Sequence, residues 1–81
     1  MYSKEVVVRC ESGLHNRQAT YFVQKANEFE ANIWVESGER KMNAKSLLGV
    51  LSLGIVSGTT IRIIADGPDE VNAVETLVKK R

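Results

Sequence analysis

The one histidine of the chain, His15, stands where a glycine turn gives way to a helix-patterned stretch, Ser12-Gly-Leu-His-Asn-Arg-Gln-Ala-Thr20. Histidine can act as a nucleophile while neutral near pH 7. A helix start adds unpaired backbone N–H groups and positive potential, both of which favour anions. That potential favours the neutral, nucleophilic ring and then stabilises an anionic phosphorylated form. Arg17 lies two residues on, and a guanidinium can fork onto phosphate oxygens. Together these residues suit a group that takes up phosphate and hands it on. The simpler reading of His15 is a capping or loop histidine, and of Arg17 a solvated first-turn residue opposing the helix dipole. No second histidine or acidic cluster supplies metal ligands. No serine or cysteine stands at the spacing of a hydrolytic triad.

Ser46 is the second candidate. It precedes Leu47-Leu-Gly-Val-Leu51, where a serine side chain caps a helix start. The same geometry would accept a phosphate without melting the helix, while changing local charge by about −2. Leu47, Leu48 and Leu51 are too many leucines for so short a helix to bury. Leu47 is expected in the core; an exposed apolar remainder would suit a docking partner. Cys10 reads as a small buried hydrophobe. Trp34 is out of phase with Ile33 and Val35 and is expected on the open side of its strand. Lys4, Lys25, Lys41, Lys45 and Arg62 read as solvated charges.

These residues need elements to hold them. Residues 2–9 alternate, with Val6 and Val8 on one face and Cys10 continuing it, as in a half-buried strand. From Asn16 to about Phe29, apolar Ala19, Phe22, Val23, Ala26 and Phe29 recur at helical spacing. Asn32 to Glu36 and Arg40 to Asn43 flank Ser37-Gly38-Glu39 as a hairpin. The short helix after Ser46 and a loop from Leu53 follow. Thr60 to Ala65 is a fourth strand, with Ile61, Ile63 and Ala65 on one face. Asp69, or a residue beside it, caps a last helix with Val71, Val74, Leu77 and Val78 on its buried stripe. Lys79, Lys80 and Arg81 complement the negative end of that helix. The order βαββαβα predicts an α+β open-faced β-sandwich: a four-stranded antiparallel sheet with three helices packed on one face. The split first unit leaves room for the last strand between strands one and two.

At 81 residues the chain is expected to be a single domain, 1–81, with one core. A net charge of +1 argues against direct nucleic-acid binding. No apolar run approaches the roughly 20 residues a membrane helix needs, and no signal peptide is read at the N-terminus. A lone cysteine suits a reducing, cytoplasmic setting. An enzyme with its own turnover is disfavoured, since one histidine and no pocket-forming loops offer little to bind a small substrate.

Gly13-Leu14-His15-Asn16-Arg17-Gln18-Ala19-Thr20 resembles the phosphorylation motif of HPr, the histidine-containing phosphocarrier of the bacterial sugar phosphotransferase system. Asn43-Ala-Lys-Ser-Leu-Leu-Gly-Val-Leu-Ser-Leu-Gly54 resembles the family's second signature, around its regulatory serine. Both motifs keep the family's spacing, and the resemblance covers essentially the whole chain. It implies that His15 accepts phosphate from phospho-enzyme I and passes it to the IIA domains of sugar permeases, with Arg17 pairing with the phosphate. It implies that Ser46 matches the serine modified by an HPr kinase/phosphorylase, a modification read by the catabolite control repressor. Thr20, Gln24, Leu47, Leu48 and Leu51 match the family's docking face. No cofactor is implied, and a monomer is expected. Two residues depart from the pattern: Asn16 where alanine is usual and Gln18 where proline is usual. Proline is preorganised for a first helical turn, so Gln18 loosens it, and Asn16 either hydrogen-bonds or crowds a phosphate. Such drift resembles a regulatory paralogue. The alternative is therefore an HPr-like binding module that acts mainly through phospho-Ser46 as a corepressor in carbon catabolite repression. A related regulatory protein lacks the histidine; this chain keeps it.

Overall fold

The computed structural model describes residues 1–8 and 16–79. His15, Cys10, Lys80 and Arg81 lie outside the described residues, as do the side chains of Asn16 and Lys79. The elements run β1 (Tyr2–Val7), α1 (Asn16–Ala26), β2 (Asn32–Ser37), β3 (Arg40–Asn43), α2 (Leu47–Ser52), β4 (Thr60–Asp66) and α3 (Glu70–Lys79). The expected βαββαβα order holds. The four strands form one antiparallel sheet in the order β1-β4-β2-β3, so the last strand does insert between the first two.

Alternation decides which face each strand residue takes. Ile33 and Val35 of β2, and Ile61, Ile63 and Ala65 of β4, point into the core. Ala19, Phe22, Val23 and Ala26 of α1, Val50 of α2, and Ala73, Val74 and Leu77 of α3 meet them. This is an open-faced sandwich with all three helices on one side. β1 is tied to α3 by Glu75, whose carboxylate accepts from the Tyr2 hydroxyl at 2.7 Å and pairs with Lys4 Nζ at 2.7 Å.

Several expectations need correcting. Helix α1 ends at Ala26, and Phe29 packs on the core from the turn that follows. There the Asn27 amide donates to the Val23 carbonyl at 2.9 Å and satisfies part of the helix end. Val71 is 52% exposed, and the buried stripe of α3 is Ala73, Val74 and Leu77, with Val78 partly buried beside it. Residues advance about 100° per step around a helix, which puts Val71 beyond the arc those three define. Apolarity alone counted the valine and passed over the smaller alanine. The five cations are not simply solvated. Lys4 pairs with Glu75, Lys25 with Glu28 at 3.7 Å, and Arg62 with Glu5 and Glu36 at 3.2 and 3.6 Å. Lys41 lies over the Trp34 ring at 4.9 Å, and Lys45 Nζ donates to the Phe29 carbonyl at 2.6 Å.

The far end of the sheet is closed by two loops drawn together. Asp69, or a residue beside it, was expected to cap α3, and Asp69 does stand at the helix start, its carbonyl accepting from Ala73 at 2.9 Å. Its carboxylate reaches further and accepts the Glu30 and Ala31 N–H groups, each at 2.9 Å. The Glu30 N–H bond, followed by that from Ala31, holds the Asp69 carboxyl below the usual carboxylate range. Glu70 accepts from the Gly67 N–H at 3.0 Å, and that bond likewise lowers its carboxyl. Gly67 has to be glycine: a Cβ there would lie 2.6 Å from the Ala31 Cα.

Candidate functional site

Helix α2 is six residues long, too short to hold itself in water. Its N-cap is Ser46, in extended backbone, whose Oγ accepts the Gly49 N–H at 3.1 Å. The Ser46 carbonyl accepts from Val50 at 3.0 Å. The cap expected at Ser46 is therefore present, with the residue itself exposed. Gly49 packs tightly behind it, since a Cβ there would stand 3.3 Å from the Ser46 Oγ.

The leucines divide differently from the expectation. Val50 fills the core and Leu51 packs half-buried against it, while Leu47 is 36% and Leu48 81% exposed. Leu47 is therefore not a core residue. A single turn and a half has only one narrow side toward α1 and β3, and Val50 with Leu51 takes it. Leu47 and Leu48 follow the cap directly and point outward as an apolar surface. Helix α2 contains no charged residue.

Helix α1 packs beside α2. Arg17, Tyr21 and Gln24 lie on its exposed arc, with Thr20 half-buried between them. The fold thus places Thr20 and Gln24 on the helix adjoining the one that presents Ser46, Leu47, Leu48 and Leu51. His15 immediately precedes α1 in the chain but lies outside the described residues.

Sequence reasoning passed over Tyr21 and Arg40 around this surface and read Lys45 only as a solvated charge. Tyr21 is 45% exposed with Lys25 Nζ 5.8 Å from its ring centre. It sits one step from the core residue Phe22, so its phase alone marked it as outward. Lys45 is not free beside Ser46 but bonds the Phe29 carbonyl. Arg40 donates from Nη1 to the Ser52 carbonyl at 2.8 Å; no local pattern announces a contact between a strand and the end of a later helix.

The family profile described as the PTS HPr component phosphorylation site matches residues 2–80, and the chain belongs to this HPr family. It is 46% identical over 78 residues to the HPr-like protein Crh of Halalkalibacterium halodurans, covering 96% of this chain and 93% of that one. It is equally 46% identical over 78 residues to the phosphocarrier protein HPr of Vibrio cholerae, covering 96% and 92%. The crystal structure of a phosphocarrier protein HPr from Bacillus anthracis superposes with a TM-score of 0.95 at 40% identity, covering 98% of this chain and 94% of that one.

The family is one of phosphocarriers rather than enzymes, and the chain is a phosphotransferase-system carrier or an HPr-like regulator. Among the described residues, no helix is long and apolar enough to cross a membrane. The expected monomer does not fit the relatives. Crh of Bacillus subtilis, 43% identical with a TM-score of 0.76 over 95% of this chain and 88% of its own, is a dimer with a swapping domain. An HPr from Thermoanaerobacter tengcongensis, 40% identical with a TM-score of 0.77 over 98% and 91%, is also a dimer. The monomer expectation is withdrawn.

Proposed function

We propose that this single domain, 1–81, is a cytoplasmic phosphocarrier: His15 takes phosphate from phospho-enzyme I and yields it to IIA domains of sugar permeases. Arg17 pairs with the phosphate. Ser46 is a regulatory phosphorylation site for an HPr kinase/phosphorylase, and Thr20, Gln24, Leu47, Leu48 and Leu51 form the docking surface. The observation that carries this reading is the junction of α1 and α2. A hydroxyl at a helix cap stands beside exposed leucines, on the helix packed against the one that begins just after the histidine. Phosphate is a favourable neighbour for helix N–H groups, so the capped serine can carry it without unwinding α2.

A second reading is favoured by the Crh relative and by Asn16 and Gln18. In it, phospho-Ser46 recruits a catabolite control repressor, and carrier activity at His15 is weak or absent. One paired assay separates the two. With phosphoenolpyruvate and enzyme I, the carrier acquires an acid-labile phosphate that His15→Ala abolishes. With HPr kinase and ATP, it acquires an acid-stable phosphate that Ser46→Ala abolishes. No acid-labile label, or label surviving His15→Ala, overturns the carrier reading. Repressor binding unchanged by Ser46 phosphorylation overturns the regulatory one.

A further inference from the structure

The last four carbonyls of a helix have no partner within it, and in α2 each can be followed. The Gly49 carbonyl accepts the Ser52 hydroxyl at 2.7 Å. The Val50 and Leu51 carbonyls accept the N–H groups of Leu53 and Gly54, each at 3.2 Å. Gly54 closes that turn at φ 60°, a conformation glycine adopts without strain. The fourth carbonyl, of Ser52, accepts Arg40 Nη1 at 2.8 Å. Three carbonyls are satisfied by neighbours in sequence and the fourth by a residue of another element.

Charge points the same way. A helix C-terminus favours a cation, yet α2 has no basic residue in its last turn. Arg40, on the neighbouring β3, supplies the missing charge across space. The contact matters because α2 has little else: six residues, one fully buried side chain and the Ser46 cap. If Ser46 is modified, its Oγ becomes a phosphoester oxygen and the cap is altered at that moment. The clamp at the other end is untouched by that change.

We propose that Arg40 is a positioning residue for Ser46: by fixing the carbonyl end of α2 to β3 it keeps the helix folded and its cap serine presented. The inference rests on reading Ser46 as a phosphorylation site. A partner that binds only the folded helix has its apparent affinity multiplied by the fraction folded. Arg40 therefore acts on the KM for the carrier and leaves the kinase's kcat unchanged.

The test compares wild type, Arg40→Ala and Arg40→Lys as full chains. In Arg40→Ala, exchange of the Val50, Leu53 and Gly54 amides quickens about two- to tenfold, while Ile63 and Val35 in the sheet are unchanged. With HPr kinase and ATP, KM rises as the inverse of the folded fraction of α2 that the exchange data give, at constant kcat, so its factor is smaller than that of the exchange rates. Arg40→Lys, which keeps the charge at the helix end, recovers most of both effects. Unchanged α2 exchange with a raised KM overturns the proposal, because Arg40 would then be touching the kinase itself. Exchange that shows α2 open for a substantial fraction of the time, with KM unchanged, also overturns it. No phosphate on wild-type Ser46 overturns the underlying reading of Ser46, and the exchange data then report the clamp separately.

Discussion

On the open face of the sheet, Glu5, Arg62, Glu36 and Lys41 stand in register on four adjacent strands. On the helical side, α2 runs from Leu47 to Ser52 with no charge at all, and Leu48 is 81% exposed. The open face alternates negative and positive, with Arg62 bonded to the carboxylates on either side of it. Above that row Ile64, of β4, is only 8% exposed although it points away from the core, next to Trp34 on β2 and with Lys41 drawn over the indole. One surface satisfies itself and presents water with a neutralised layer. The other leaves apolar area unanswered. Apolar patches on otherwise polar surfaces mark partner sites, so the contrast supports the docking surface proposed on the helical side.

Two neighbouring isoleucines on β4 measure how different the two sides of the sheet are. Ile63 lies in the core cluster at 1% exposure; Ile64 is covered only by its own face. Ile63→Ala is expected to cost about 3–4 kcal/mol, the range for a truncation inside a packed core. Ile64→Ala is expected to cost about half that, because a shallow cover collapses or hydrates more readily. Chemical denaturation of both variants checks this. Equal losses would mean that the open face holds a second core and would break the comparison.

The helical side is tested at Leu48. Leu48→Asp removes apolar area that folding leaves exposed, so the denaturation midpoint should hardly move. Binding to enzyme I or to HPr kinase should weaken by about tenfold or more, as for a central apolar contact in an interface. A matched change on the other surface, Glu36→Ala, should leave both affinities unaltered. Titration of each variant against the same partner gives the answer.

Much of this contrast was legible in the residues. Strand alternation placed Ile33, Val35, Ile61, Ile63 and Ala65 correctly, and a serine before a leucine run announced the cap of α2. Trp34 was assigned to the open side because it breaks phase with its neighbours. What escaped shares one physical cause: it depends on contacts between elements far apart in sequence. Leu47 is outside because Val50 and Leu51 occupy the narrow packed side of α2. Val71 is outside because Ala73 lies in the buried arc. Arg40 meets Ser52, Arg62 meets Glu5, and Asp69 meets Glu30 and Ala31 only once the sheet order is set. Polar side chains read as solvated because nothing local names their partners.

Asp69 joins the two loops at the end of the sheet, and its contribution depends on pH. The Glu30 and Ala31 N–H bonds depress its folded-state pKa. A depressed carboxyl stabilises the fold fully above its unfolded pKa and loses that contribution as pH falls through the folded value. The loss should begin near the ordinary carboxylate range, about pH 4. Asp69→Asn should be less stable than wild type at neutral pH and should show a flatter decline below about pH 4. Glu70, depressed by the Gly67 N–H, titrates in the same window and keeps the variant's profile from becoming level. Thermal midpoints from neutral to acid pH check the slope. An unchanged slope would mean that the two N–H bonds form equally well to a neutral group.

The smallest effect is expected at the ion pairs of the open face. Arg62 reaches both Glu5 and Glu36, but all three side chains are substantially open to solvent. Exposed pairs contribute up to about 1 kcal/mol each, commonly less. In Arg62→Ala the two carboxylates remain on strands to either side of β4, about 9–10 Å apart by the spacing of neighbouring strands. That is close to the Debye length of about 8–10 Å at moderate salt, so their mutual repulsion is largely screened. The loss should be about 0.5 kcal/mol at low ionic strength and should fade as salt is added. Urea midpoints of wild type and variant at two salt concentrations test this. A loss above about 2 kcal/mol that survives high salt would make the ladder a structural support instead of a neutralised coat, and the two surfaces would then differ less than their charges suggest.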